Sequence, residues 1–386
     1  MTDIGACVEP GRWLRVSVEA IVGGFGASLL LGALSASQGW FDRHFLPLFF
    51  LSRDTYVLGE ELARIFVAAV GAALVVFVRP MAGRLAMQAS PREFAAGGIR
   101  ILLAIAIALS VSELVMRRTF ALAAAEGPVN EEPLRRADAA LGWSFIPSRT
   151  ARTSVAGREV TYAIDDHGYR IRNRDTPLDF KQPTIIFTGE SIMAGFGLSW
   201  DESIPAQVGS LMNLQTANMA VFGYGNDQAY LRLKTELPHF HEPVAVVSLF
   251  IPSLFVRNLD DDRPHLGPQL SWQPGARRWR LRALIKFFIP YHSESEIEHG
   301  IEATRAVLSA SANLARARHA EPLVVVPQFG AEGPVERMIR HRVLDEPGIA
   351  YVQVRLDPNW RLSGDPHPDA RADHMIAAAI ARRLQH

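Results

Sequence analysis

The sequence holds a single cysteine, Cys7. A lone thiol excludes an internal disulfide framework and any cysteine-built zinc cage. Net charge is missing too, since 40 Lys+Arg stand against 40 Asp+Glu. A dedicated nucleic-acid binder would carry a basic excess or stripe, so no nucleic-acid partner is expected. Nor does the chain show the low hydrophobicity and high net charge of a disordered protein: 48% of its residues are hydrophobic. No internal repeat or low-complexity tract stands out. The 386 residues suffice for two or three structural units. The neutral average hides an uneven distribution, for residues 1–118 contain 11 Arg, 9 Asp+Glu and no Lys.

Three long apolar runs lie in that first part, at about Val16–Leu34, Leu62–Val78 and Ile99–Met116. Each is close to the ~20 residues that cross a bilayer as a helix. Buried helices of a soluble domain would keep a polar face, and Phe66–Val78 has none. Residues 1–118 are therefore predicted to form a membrane anchor of three transmembrane helices. Arg79, Arg84, Arg92 and Arg100 against Glu93 place the second connection on the cytoplasmic side. The loop from Ser35 to Glu61 then lies outside, and the third helix delivers the rest of the chain outside as well. Arg117 and Arg118 run against that orientation, but a long domain can translocate despite such charges. The implied location is the bacterial inner (cytoplasmic) membrane, multi-pass, with membrane lipid as a neighbour and the C-terminal domain on the periplasmic or extracellular side. Gly23, Gly24, Gly26, Ala27 and Gly32 give the first helix a small-residue surface suited to helix packing, within the chain or with a membrane-protein partner. Glu19 and Glu113 fall near run ends, where water-facing positions are expected. The aromatic stretch Phe45–Leu51 is too short to span and suits the outer interface.

Residues 119–150, with Pro128, Pro133 and Pro147, read as a linker and domain entry. From 151 to 386 the chain alternates short apolar strands with helical patterns. The strand candidates are Thr184–Thr188, Ala217–Phe222, Val244–Ile251, Leu323–Pro327 and Tyr351–Val354. They are continuously apolar, as in a parallel sheet covered on both faces. The fold class predicted is α/β: a doubly wound, flavodoxin-like parallel sheet whose functional groups sit at strand C-terminal ends. The stretch 258–300 is the least legible. It carries Asp260–Asp262 and Arg277, Arg278, Arg280 and Arg282 among Trp272, Trp279, Phe287 and Phe288. A substrate lid, a surface touching lipid headgroups and a solvated insertion all fit it.

Three strand ends carry chemistry. The first is followed by Gly189-Glu190-Ser191, a serine between a buried strand and a helix start. Its hydroxyl is placed for attack, and its backbone N–H and the helix terminus can stabilise a developing negative charge. An ordinary N-cap serine looks the same. The second is Asn218-Met219-Ala220-Val221-Phe222-Gly223-Tyr224-Gly225-Asn226-Asp227-Gln228, where Gly223 could offer a second oxyanion N–H and Gly225 allows close backbone approach. A plain glycine turn is the alternative. Near the C-terminus, Asp365-Pro366-His367-Pro368 supplies a proline-fixed histidine and an acid two residues before it, the base and orienting group a serine nucleophile needs.

Taken in order, these blocks resemble the SGNH hydrolase superfamily, the GDSL-like esterases and lipases, and most of all its bacterial membrane-attached members with a C-terminal SGNH domain. The likeness covers about residues 140–386. Gly189-Glu190-Ser191 matches the first block, with Glu190 where Asp is usual. Asn218–Gln228 matches the second, with Gly223 at the oxyanion glycine. Asp365-Pro366-His367 is a shortened form of the last. Asp166-His167-Gly168-Tyr169-Arg170 is similar to an entry segment of such proteins. The third block usually ends in Asn-Asp, whose Asn donates to the oxyanion; here Ser253 takes that place, and a hydroxyl can donate one bond.

The resemblance implies an acyl-ester hydrolase or O-acyltransferase with Ser191 as nucleophile, His367 as base and Asp365 as its orienting acid. Ser191, Gly223 and Ser253 would form the oxyanion hole, supported by Gly189, Glu190, Gly225 and Asn218. An acylated glycan or another envelope ester is the implied substrate. The chemistry calls for neither a metal nor an organic cofactor. The alternative is a catalytically weak or inactive glycan-binding protein of the same fold that supports envelope polysaccharide assembly, which Ser253 and Glu190 favour and the retained Ser191, Asp365 and His367 oppose.

Overall fold

A computed structural model describes residues 10–46, 49–88, 90–120, 132–260, 262–275, 281, 285–286 and 289–385. Cys7, Pro128, Asp261, Arg277, Arg278, Trp279, Arg280, Arg282, Phe287 and Phe288, on which parts of the sequence reading fell, lie outside these residues. The chain forms two compact units, one made of residues 1–43 and 53–116, the other of residues 44–52 and 117–386.

The first unit is helical. Helix α1 spans Pro10–Ser35 and a short α2 covers Gln38–Phe45. Helix α3 (Arg53–Ala73) continues through a π-turn at Leu74–Val78 into α4 (Arg79–Gln88), and α5 runs Pro91–Phe120. Among the described residues, three helical stretches are long and apolar enough to cross a membrane: Arg12–Ser35, Arg53–Gln88 and Arg92–Met116. The second is about twice the apolar run that announced it. The arginines of that connection are correspondingly on helices, Arg79 and Arg84 on α4 and Arg92 and Arg100 on α5, whose start at Pro91 is set by a reciprocal capping pair of Ser90 and Glu93. The small-residue stripe divides. A Cβ on Gly26 would lie 2.9 Å from the Gly71 carbonyl, and one on Gly71 would lie 2.8 Å from that of Gly26, so α1 and α3 touch backbone to backbone there. Gly24 and Gly32 face open space. Glu19 pairs with Arg15 at 2.8 Å.

The second unit holds the α/β fold. Two hairpin strands, β1 (Arg135–Asp138) and β2 (Gly142–Phe145), precede the antiparallel β3 (Thr150–Val155), β4 (Arg158–Ile164) and β5 (Arg170–Ile171). Then come β6 (Thr184–Thr188), α6 (Ser191–Ala194), α7 (Ile204–Met212), β7 (Gln215–Asn218), α8 (Asn226–Glu236) and β8 (Pro243–Leu249). A small hairpin of β9 (His265–Leu266) and β10 (Trp272–Gln273) follows. The chain ends in α9 (Glu294–Ala317), β11 (Glu321–Phe329), α10 (Pro334–Arg340), β12 (Tyr351–Leu356) and α11 (Ala370–Leu384).

The main sheet has eight strands in the order β12-β11-β8-β6-β7-β5-β4-β3. Its five parallel strands, β7-β6-β8-β11-β12, follow the 2-1-3-4-5 order of a flavodoxin-like sheet. Burial on both faces explains why β6 reads as unbroken TIIFT. Ile185 and Phe187 join Val208, Ile376 and Ile380 on one face, while Ile186 joins Leu233, Leu237 and Ala315 on the other. The sheet is not wholly parallel, however. β3, β4 and β5 extend it antiparallel, starting from a hairpin whose turn residues Ala156 and Gly157 both have positive φ. The second predicted strand is displaced: β7 stops at Asn218, and residues 219–225 form the loop that carries Gly223. The described part of 119–150 is built into this unit, with Leu134, Trp143 and Phe145 buried. Leu46 and Phe49 are buried here as well, so the aromatic stretch expected at the membrane interface packs into the α/β unit.

Candidate active site

The reversal of strand order between β6 and its neighbours creates a crevice at their C-terminal ends, the usual ligand position in such sheets. Ser191 opens α6 directly after β6 and is 6% exposed. The turn before it needs Gly189, whose φ is +152°, and a Cβ there would strike the Leu249 side chain at 2.9 Å. His367 reaches the same point from the loop before α11. That loop is closed by a bridge between Arg361 and Pro368 and by the Leu362 N–H donating to the His367 carbonyl.

Ser191 Oγ lies 2.9 Å from His367 Nε2, and His367 Nδ1 lies 2.6 Å from Asp365 Oδ1. The same Asp365 oxygen accepts the His367 backbone N–H at 2.9 Å, so one carboxylate fixes both ring and loop. A proton on Nδ1 facing Asp365 leaves Nε2 as acceptor for the serine hydroxyl, the arrangement a general base requires.

Glu190 adds a contact that the sequence did not announce. Its Oε2 accepts from the Ser191 N–H at 2.8 Å and lies 2.5 Å from Ser191 Oγ; its Oε1 accepts from the Ile192 N–H at 3.3 Å. Glu190 is thus the N-cap of α6, holding the backbone donor expected to serve the oxyanion and sharing the Ser191 hydroxyl with His367. Arg257, outside the sequence reading, stands 3.4 Å from Glu190 Oε2 and donates to the Tyr224 carbonyl at the same distance. A small cleft lined by Gly189, Glu190, Gly225, Asn226, Leu254 and Arg257 opens beside Ser191.

The remaining expected residues fall as follows. Gly223 lies in the loop after β7 with φ +81°, a conformation natural to glycine. Asn218 donates to the Met193 carbonyl and accepts from the Ala220 N–H, tying that loop to α6. A Cβ on Gly225 would strike Arg263, Asp227 and Asn258 within 2.8 Å. Ser253 is 2% exposed, and its Oγ accepts the Phe49 N–H at 3.2 Å, leaving the hydroxyl hydrogen to donate elsewhere.

Two buried arginines hold this architecture. Arg170 is fully buried and donates to the carbonyls of Ala194, Gly195 and Leu198, which form the turn closing α6, while its guanidinium stacks on Tyr162. Burial pulls its pKa down to about 10. It belongs to the entry segment singled out in the sequence, but nothing there revealed that it gathers three carbonyls. Arg263 makes a two-pronged pair with Asp227, both contacts at 3.1 Å and both residues buried, and so anchors the start of the stretch that was least legible. At the other end of α8, His167, Glu236 and His239 bring ligand-type atoms within 4.8 Å of one another, and the Tyr169 hydroxyl donates to Glu236 at 2.6 Å.

No family model matches the chain, and no curated protein does. Solved structures do. An acetyl xylan esterase from the rumen bacterium Butyrivibrio proteoclasticus matches 54% of this chain over 65% of its own, at 12% identity and TM-score 0.33. A carbohydrate acetylesterase family member from Sinorhizobium meliloti matches 53% over 97% of its own length, at 12% identity and TM-score 0.32. A lipolytic protein of the G-D-S-L family from Veillonella parvula matches 52% over 96%, at 10% identity and TM-score 0.31. Ordered sequence blocks at the ends of β6, β7 and the last loop, with a serine, a histidine and an aspartate gathered at the crevice of a flavodoxin-like sheet, are the features in which this chain resembles the SGNH hydrolase superfamily.

Proposed function

We propose that the protein is a membrane-anchored serine ester hydrolase working outside the cytoplasm on an acylated envelope glycan or a related ester. The observation that carries this reading is the chain of contacts from Ser191 Oγ to His367 Nε2 and from His367 Nδ1 to Asp365 Oδ1, at 2.9 and 2.6 Å. In the reaction, Ser191 Oγ attacks the ester carbonyl while His367 takes its proton; the imidazolium returns that proton to the departing alcohol. Asp365 holds the ring in the required tautomer. The Gly223 N–H, the Ser253 hydroxyl and the Ser191 N–H, once Glu190 releases it, are the donors assigned to the oxyanion. Water then attacks the acyl-serine to give the acid; a sugar hydroxyl in its place gives O-acyl transfer. The extracytoplasmic location rests on the arginines of the second connection and on three helices long and apolar enough to cross a membrane.

The test is labelling of the full-length protein by a fluorophosphonate probe. Wild type is expected to label, and Ser191→Ala and His367→Ala are expected not to. Equal labelling of wild type and Ser191→Ala would remove the nucleophile assignment. Absence of labelling in both would favour the glycan-binding alternative.

A further inference from the structure

The segment 44–52 lies in sequence between the first two apolar helices, yet it packs with the α/β unit. It does so through several independent contacts. The backbones of His44 and His292 bond at 2.8 Å, and His44 Nδ1 lies 2.7 Å from the His292 carbonyl. Leu46 is 2% exposed within the cluster that contains Phe250 and Ile297. Phe49 packs on Phe329, with ring centres 5.1 Å apart, and its N–H donates to Ser253.

The end of the segment reaches the catalytic base. The Phe50 ring centre lies 4.9 Å from that of His367, and Phe196 lies 4.5 Å from it. Arg361 ties the two pieces of chain together. It donates to the Phe49 carbonyl at 3.0 Å and to the Pro366 carbonyl, next to His367, at 2.5 Å. Its guanidinium also lies over the Phe329 ring at 3.7 Å. One cation therefore fastens the segment to the histidine loop, using carbonyl oxygens that would otherwise need water.

Resting on the ester-hydrolase reading, we infer that residues 49–50 are a built-in part of the active site. Phe50 is a positioning residue for His367 and a wall of the acyl-binding space, and Arg361 is the clamp that holds it. The catalytic site is thus completed from the loop between two membrane-crossing helices. A chain that crosses three times puts that loop and the C-terminal domain on the same side, so the assignment agrees with the three-helix count. The ring beside His367 takes up room next to the nucleophile, which points to short acyl groups, acetyl above all, as the preferred substrates.

The test uses full-length protein in detergent, comparing wild type, Phe50→Ala, Phe50→Tyr and Arg361→Met on aryl acetate, butyrate and octanoate. Phe50→Ala is expected to lower kcat/KM for the acetate by about tenfold or more, a loss on the scale of a mispositioned catalytic group. It should shift the pH midpoint of the histidine limb and move the preference toward longer acyl chains. Phe50→Tyr should restore both, and Arg361→Met should follow Phe50→Ala. An unchanged pH profile and chain-length preference in Phe50→Ala would overturn the inference. Loss of the ester-hydrolase reading is seen separately, as wild-type turnover that survives Ser191→Ala or as no turnover at all. In that event amide hydrogen exchange at 361–367 decides the docking: faster exchange in Phe50→Ala upholds it, and equal exchange refutes it.

Discussion

In the proposed hydrolase, the resting site contains an internal competitor for the serine hydroxyl. Ser191 has one hydroxyl hydrogen and two acceptors in reach, Glu190 Oε2 at 2.5 Å and His367 Nε2 at 2.9 Å. Only the second orientation leads to attack. A hydrogen bond to a charged group contributes about 1.5–3 kcal/mol. Giving one up before chemistry raises the barrier by that amount, a factor of about 10–150. Glu190→Gln keeps the length of the side chain but removes the charge, and its carbonyl oxygen can keep the Ile192 N–H. With its amide nitrogen where Oε2 stands, it donates to Ser191 Oγ, directing the hydroxyl hydrogen toward His367, and no longer holds the Ser191 N–H. We therefore expect Glu190→Gln to raise kcat/KM on an aryl acetate about tenfold or more. The accompanying loss in stability should stay near 1 kcal/mol, the usual worth of an N-cap. Stopped-flow acylation rates and urea melts measure the two effects. A fall of a hundredfold in a variant that still folds would refute the reasoning and make Glu190 part of the productive machinery.

Other perturbations follow from the buried charges. Arg170→Lys retains the charge but cannot span three carbonyls. It should cost about 2–4 kcal/mol, from one or two lost charge-assisted bonds, and lower kcat because the turn behind Ser191 loosens; urea unfolding and steady-state kinetics test both. Asp373 is fully buried, and desolvation pushes its carboxyl well above the ordinary value of 3.8. An acid raised in the folded state leaves stability intact below 3.8 and reduces it as pH climbs to the raised value. Asp373→Asn should accordingly raise Tm at pH 8 and leave it unchanged near pH 4. Bulk at the helix contact should be refused: Gly71→Leu would strike the α1 backbone, and reduced yield of folded membrane protein is expected, whereas Gly24→Leu, facing open space, should be tolerated.

Much of this architecture was legible in the sequence because its signals were local. TIIFT and VAVVSL are unbroken apolar runs, and both faces of those strands are covered, so the parallel core could be read directly. Ser191, Asp365 and His367 announced themselves through strand-end placement, and the fold brings them within hydrogen-bonding distance. The antiparallel extension escaped because β3 and β4 are half exposed and mostly polar, leaving little apolar signal. The roles of Arg170 and Arg263 escaped for a different reason. A buried guanidinium is made tolerable by partners 25 and 36 residues away, and spacing carries no trace of them. The packing of Phe49 and Phe50 is hidden in the sequence because an aromatic stretch beside apolar helices looks alike whether it meets lipid or a folded domain. The position of Ser253 in its block suggests a replacement oxyanion donor, but its acceptor role toward Phe49 leaves no trace in the sequence, since 204 residues separate the two.

The central claim is that Ser191, driven by His367, forms a covalent acyl intermediate. Rapid quenching of full-length protein mixed with an aryl acetate, followed by peptide mass spectrometry, tests it directly. The expected result is an acetyl group on the peptide containing Ser191 in wild type, absent in Ser191→Ala and strongly reduced in His367→Ala. Ester turnover with no acetyl on that peptide, or an acetyl group elsewhere that survives Ser191→Ala, would contradict the account.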